Sequence, residues 1–126
     1  SADHAIMGAE IALDVVVWPR MLKIARDNSA SDGARKSAVF WVSQEASAAA
    51  TAGLDSVAGD DTASLAVRSD AVFFLAQRPH GEGIPALVRV AESSKSMKLR
   101  KDAIFFLAQS RDDRALALFE KLLTGR

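Results

Sequence analysis

Two stretches of this chain are nearly the same sequence. Residues 67–78 read VRSDAVFFLAQR and residues 99–110 read LRKDAIFFLAQS, identical at eight of twelve positions. Residues 34–45, ARKSAVFWVSQE, are a third copy, one period upstream of the first. Arg35, Arg68 and Arg100 share a register, as do Ala38, Ala71 and Ala103, and Gln44, Gln77 and Gln109. A degenerate fourth copy is read at the start, where Ala5, Ile6 and Ala9 stand one period before Ala38, Val39 and Val42. The intervening segments repeat too. Residues 18–25, WPRMLKIA, match residues 84–91, IPALVRVA, two periods on, with Thr51, Leu54, Val57 and Ala58 between them and Leu116, Phe119, Leu122 and Leu123 closing the series. A fixed period of about 33 residues means a stack of similar small units.

Each unit holds two elements, A and B, and both read as helices, because the apolar positions recur at helical and not at alternating spacing. The separators at 28–33, 59–61, 79–83 and 93–96 are rich in Gly, Ser, Asn, Asp and Pro and read as turns. Pro19 and Pro85 sit where a first-turn proline is tolerated, and Asp112 or Asp113 suits the N-cap of the last helix. The expected helix pairs are 2–28, 33–60, 65–93 and 97–125. A single hairpin of this size buries too little apolar surface to stand alone. Without Cys there is no disulfide to hold it. Stacking shares each apolar face with a neighbour, so the expected fold is all-α: a single domain over 1–126, an α-solenoid of about four antiparallel hairpins. The chain opens on Ser1 with no initiator Met and is expected to be a trimmed piece of something longer.

The Arg-x-x-Ala at the start of each A helix, with Leu or Val four residues later, resembles the short HEAT-like repeats, often called lyase-type after the bilin lyases that contain them. The resemblance is closest over 65–125, good over 33–58 and weak before Trp18. It implies a rigid helical surface for a partner, or a subunit associated with a lyase or other enzyme complex. It carries over no catalytic residue. An ankyrin array would need a Thr-Pro-Leu-His-like turn, and tetratricopeptide units lean on Tyr, of which this chain has none.

Chemistry has little to work with. The absence of Cys removes thiolate nucleophiles and thiolate metal sites. His4 and His80 stand far apart in the sequence, in different units, and His80 reads as an exposed loop residue. Asp60-Asp61 and Asp112-Asp113 are paired carboxylates, but each pair sits beside a helix start, where capping accounts for it, and neither has the spaced oxygens of a hard-cation loop. Gly81-Glu82-Gly83 lacks the strand and Lys-Ser/Thr of a phosphate loop. No enzyme, metal or cofactor is expected. Sixteen basic residues balance sixteen acidic ones, which gives no bulk attraction to nucleic acid, and no apolar run is long enough to span a membrane.

Two surfaces remain. On the B helices, expected to line a concave face, one position carries Lys23, Ser56, Arg89 and Lys121 in successive units. Lys23, Arg89 and Lys121 form a candidate basic stripe for an acidic peptide or a phosphate backbone. The competing reading is ordinary solvated charge, with Asp55 and Glu120 close by. On the A helices, expected to form the convex face, six of the eight aromatics fall in the pairs Phe40-Trp41, Phe73-Phe74 and Phe105-Phe106. With Leu75 at the buried centre, Phe74 lies about 100° away, wedged between A helices, and Phe73 about 160° away, facing outward. Phe40, Phe73 and Phe105 are therefore a candidate apolar docking stripe, unless curvature or an adjoining segment covers them. Gln44, Gln77 and Gln109 suggest a structural side-chain ladder. Arg35, Arg68 and Arg100 point inward and are expected to hold carbonyls or acidic groups between units. The partner expected on this reading is another protein or peptide.

Overall fold

Serines spaced at the repeat period start the A helices. Ser31, Ser64 and Ser96 are the N-caps of the three described A helices, accepting hydrogen bonds from the N–H groups of Ala34, Val67 and Leu99 at 3.1–3.2 Å. Ser47 does the same for Ala50 at 3.4 Å. Each bond satisfies a helix-end donor that has no partner within its own helix. In the computed structural model, residues 18–125 are described. They hold α1 over 18–25, α2 (Asp32–Ser43), α3 (Ala48–Ala58), α4 (Leu65–Ala76), α5 (Ile84–Ser93), α6 (Met97–Ser110) and α7 (Asp113–Thr124), with a short 3-10 turn at Pro79–Gly81. All secondary structure among the described residues is helical. The helix pairs expected at 33–60, 65–93 and 97–125 are present. Most of the pair expected at 2–28, with His4 and the copy at Ala5, Ile6 and Ala9, lies outside the described residues.

α4 packs against α2, α3, α5 and α6; α5 also meets α6 and α7; α2 meets α3, and α6 meets α7. The interior follows the repeat. Ala38, Val39 and Val42 on α2 recur as Ala71, Val72 and Leu75 on α4 and as Ala103 and Leu107 on α6, all buried. Leu54 and Val57 on α3 recur as Leu87 and Val90 on α5. Small Ala at one position per A helix lets neighbouring backbones approach, while the larger side chains fill the space between them. At the α4–α5 corner, a Cβ on Gly83 would collide with the carbonyl of Leu75, so only glycine allows α5 to begin against the end of α4.

Arginines tie the units together. Arg35 is buried; its Nε donates to the Ala25 carbonyl at 3.0 Å, and its guanidinium lies 3.5 Å from Asp60. Arg68 lies 3.8 Å from Asp61, and Arg100 Nη1 donates to the Ser94 carbonyl at 2.5 Å. Arg78, also buried, donates to Thr51 Oγ1 at 2.8 Å and to the carbonyls of Ser43 and Ser47 at 3.0 and 3.2 Å. It thereby closes the α2–α3 corner from the following hairpin. Asp60 and Asp61 have a different role from the capping read for them: Ser64 caps α4, and the two carboxylates receive Arg35 and Arg68. Gln44 and Gln77 are the C-cap residues of α2 and α4. No Gln–Gln hydrogen bond joins them or Gln109 among the described residues, so the expected ladder is not formed.

Asp112 caps α7 and takes both the side chain and the backbone N–H of Arg114, which hold its carboxyl down to about 2. Asp60 is lowered chiefly by the Thr62 hydroxyl and Asp27 by that of Ser29. Carboxyls lowered in the folded state add stability above their unfolded value of about 3.9, and that stability is lost as pH falls through the folded values. Thermal denaturation should therefore show a falling midpoint between about pH 4 and pH 2. Asp112→Asn, which still caps a helix, should flatten that slope. An unchanged slope in the variant would remove Asp112 from the account.

Candidate functional site

Burial of the alanines and of the leucine or valine beyond them sets how each A helix is rolled, and the roll decides where its aromatics go. Phe40, Phe73 and Phe105 point away from the core and are 44%, 47% and 58% exposed. Their sequence neighbours behave differently. Phe74 and Phe106 turn sideways, half-buried, toward the preceding A helix. The result is a continuous edge-to-face run of six rings. Phe40 meets Trp41 at 5.6 Å and Phe74 at 6.0 Å; Phe73 meets Phe74 at 5.3 Å and Phe106 at 6.1 Å; Phe105 meets Phe106 at 5.7 Å. Interplanar angles of 66–77° place ring edges on neighbouring faces, the favourable arrangement for a quadrupolar ring.

Trp41 is exposed too, at the position that Phe74 and Phe106 occupy as wedges in the later units. The repeat register alone predicts a wedge there. Several charges near the row are paired. Lys36 lies 4.0 Å from Asp70 of the next A helix, and Lys98 pairs with Asp102 at 2.6 Å and with Ser69 Oγ at 3.2 Å.

The basic set on the B helices is differently placed. Lys23, Arg89 and Lys121 lie on solvent-facing positions, with Arg89 and Lys121 each in reach of an acid. Arg89 pairs with Asp55 across α3 and α5, and Lys121 lies 3.6 Å from Glu92 across α5 and α7. Two of the three cations are thus matched by carboxylates of the preceding hairpin. Asp55 and Arg89 border two open clefts of about 220 and 360 Å³ between α3 and α5. A phosphate entering there meets Asp55 as well as Arg89, which offsets the attraction. His80 is exposed in the 3-10 turn, with φ 56°. Among the described residues, no three His, Asp or Glu side chains gather as metal ligands, and no helix is long and apolar enough to cross a membrane. No protein-family model, curated protein or solved structure matches this chain.

Proposed function

We propose that the chain is a HEAT-like α-solenoid and acts as a non-enzymatic protein-binding or scaffolding module. Its A helices form the outer face, and a partner docks along the aromatic row. The observation that carries this reading is the row itself: one outward Phe per unit, about half exposed, with ring meeting ring along its length. Contiguous exposed apolar surface on a folded chain marks interaction sites, and aromatic anchors dominate interface energetics. The solenoid reading is supported by the repeat period and by packing of α2, α4 and α6 in succession.

The test is the change of Phe40, Phe73 and Phe105 together to Gln. The three changes remove all five edge-to-face contacts, each worth about 1 kcal/mol, so the variant should melt cooperatively at a lower temperature and keep its helical circular dichroism. Capture of the partner from the source cell should be lost. Lys23, Arg89 and Lys121 changed to Gln should leave capture intact. If instead the basic changes abolish capture and the Phe changes do not, the partner docks on the B helices.

A further inference from the structure

The aromatic row is corrugated. Phe40, Phe73 and Phe105 stand out as ridges, and Phe74 and Phe106 lie half-buried between them. Phe74 is 6.0 Å from Phe40 and 5.3 Å from Phe73, and Phe106 is 6.1 Å from Phe73 and 5.7 Å from Phe105. Two shallow aromatic grooves result, one between α2 and α4 and one between α4 and α6, with Phe73 as their common wall. Equivalent positions on packed neighbouring helices are separated by the helix spacing of about 8–10 Å, and that is the step from one groove to the next. A polar row runs beside the grooves. Gln44, Gln77 and Gln109 each follow an outward Phe by four residues, which puts them on the same face, one helical turn on. All three are exposed, and the one side-chain hydrogen bond they make among the described residues runs from Gln44 Nε2 to Ser43 Oγ at 3.3 Å. Their amides therefore offer unused donors along the grooves. On the other border Lys36 faces Asp70 and Lys98 faces Asp102, while Lys101 is an exposed cation at the α6 end.

We propose that the occupant of the row is a proline-rich segment in the polyproline II conformation, laid across α2, α4 and α6 with one turn per groove. The proposal rests on the reading of the row as a docking surface and names what docks there. Three residues of polyproline II advance about 9.3 Å and return to the same edge, so prolines at i and i+3 meet successive grooves. An extended strand cannot do this. Its same-face positions recur at about 6.6 Å and again at about 13 Å, and a step of three residues turns the side chain to the opposite face. An α-helix comes back to its face every 5.4 Å and meets the ridges at every second turn alone, with its carbonyls already bonded within it, which leaves the glutamine amides idle. Polyproline II makes no internal hydrogen bonds, and proline has a carbonyl but no N–H. Such a ligand offers acceptors only, and the glutamine row supplies the donors. Its rings pack on aromatic walls, and its conformation is set before binding, so little ordering entropy is lost. Paired charges and one spare cation on the border suit a segment that is neutral or mildly acidic.

The probe is fluorescein-labelled decaproline, titrated with the full chain and followed by anisotropy. Binding should saturate below millimolar protein. Phe73→Gln removes the wall shared by both grooves and should raise the dissociation constant at least about tenfold. Gln77→Ala with Gln109→Ala should raise it about fivefold, the scale of a hydrogen bond or two lost to water, and should leave the melting temperature unchanged because both side chains are exposed. Should Phe73→Gln unfold the chain, the glutamine pair carries the test by itself. No binding at millimolar protein overturns the proposal, and so does equal binding by the glutamine variant, since the amides then recognise nothing. A neutral amphipathic helical peptide that binds where decaproline does not also overturns it and makes the partner a helix. The wider reading of the row fails differently. If decaproline does not bind but the change of Phe40, Phe73 and Phe105 to Gln still abolishes capture, the row remains the docking surface and the polyproline occupant alone falls. If capture survives that change, both fall.

Discussion

Leu75→Ala should lower the free energy of unfolding by about 2–5 kcal/mol. Leu75 is 1% exposed, on the flank of α4 that faces the other helices, beside Ala71 and Val72. Its carbonyl also meets the start of α5 at Gly83, so the backbone there is poorly placed to collapse into the space left behind. Little relaxation means that the cavity term is felt nearly in full. A stable domain of this size holds about 5–15 kcal/mol in total, so one such truncation removes a large share. Leu107→Ala, the same position one unit later, should cost less, because α6 has a further hairpin on one side alone among the described residues. Urea denaturation of both variants checks the order. A cost under about half a kcal/mol at Leu75 would mean that the core is centred elsewhere.

Arg78→Met should be the most damaging polar change, on the order of 3 kcal/mol. The methionine fills the arginine's apolar path but leaves the Ser43 carbonyl and the Thr51 hydroxyl without their donor, at about 1–3 kcal/mol for each acceptor kept from water, while the Ser47 carbonyl keeps the Ala50 N–H. Arg78→Lys should fall between the two, because one ammonium cannot copy the planar fork that reaches three acceptors at once. Hydrogen exchange should then rise at the α2–α3 corner, far along the chain from the substitution, and not around Arg78 alone. Equal stability of the Met and Lys variants would show that the fork geometry is irrelevant.

The positions of the helices were legible in the sequence because the repeat reports them three times over. A helix expected to begin at 33 begins at Asp32, and those expected at 65 and 97 begin at Leu65 and Met97. The outward direction of Phe73 was legible for a similar reason: Ala71 and Leu75 leave one way to roll the helix. What local pattern does not contain is register between hairpins. Asp55 and Arg89 stand about one period apart, and so do Glu92 and Lys121, so the basic stripe looked uncompensated along each helix while its counter-charges came from the neighbouring one. Gln44 and Gln77 misled for another reason. They recur at the period, but at helix C-caps, and no hydrogen bond joins the amides of adjacent units. The serine caps carry a further signal: Ser31, Ser64 and Ser96 keep the spacing of the repeat as faithfully as the arginines.

Most of the ties between hairpins run in one direction along the chain. Arg78 reaches back to Ser43, Ser47 and Thr51, Arg89 to Asp55, Lys95 to Asp61, Arg114 to Gly81 and Lys121 to Glu92. Lys36 with Asp70 and Thr51 with Glu82 run the other way. Synthesis also proceeds from the N-terminus, at about 5–20 residues per second, so each repeat unit takes about 2–7 s to emerge. Helices form in microseconds. A hairpin leaving the ribosome thus brings cations whose acceptors are already made, and it waits for few groups still to be translated. The order in which the molecule is made is the order in which its polar contacts can close.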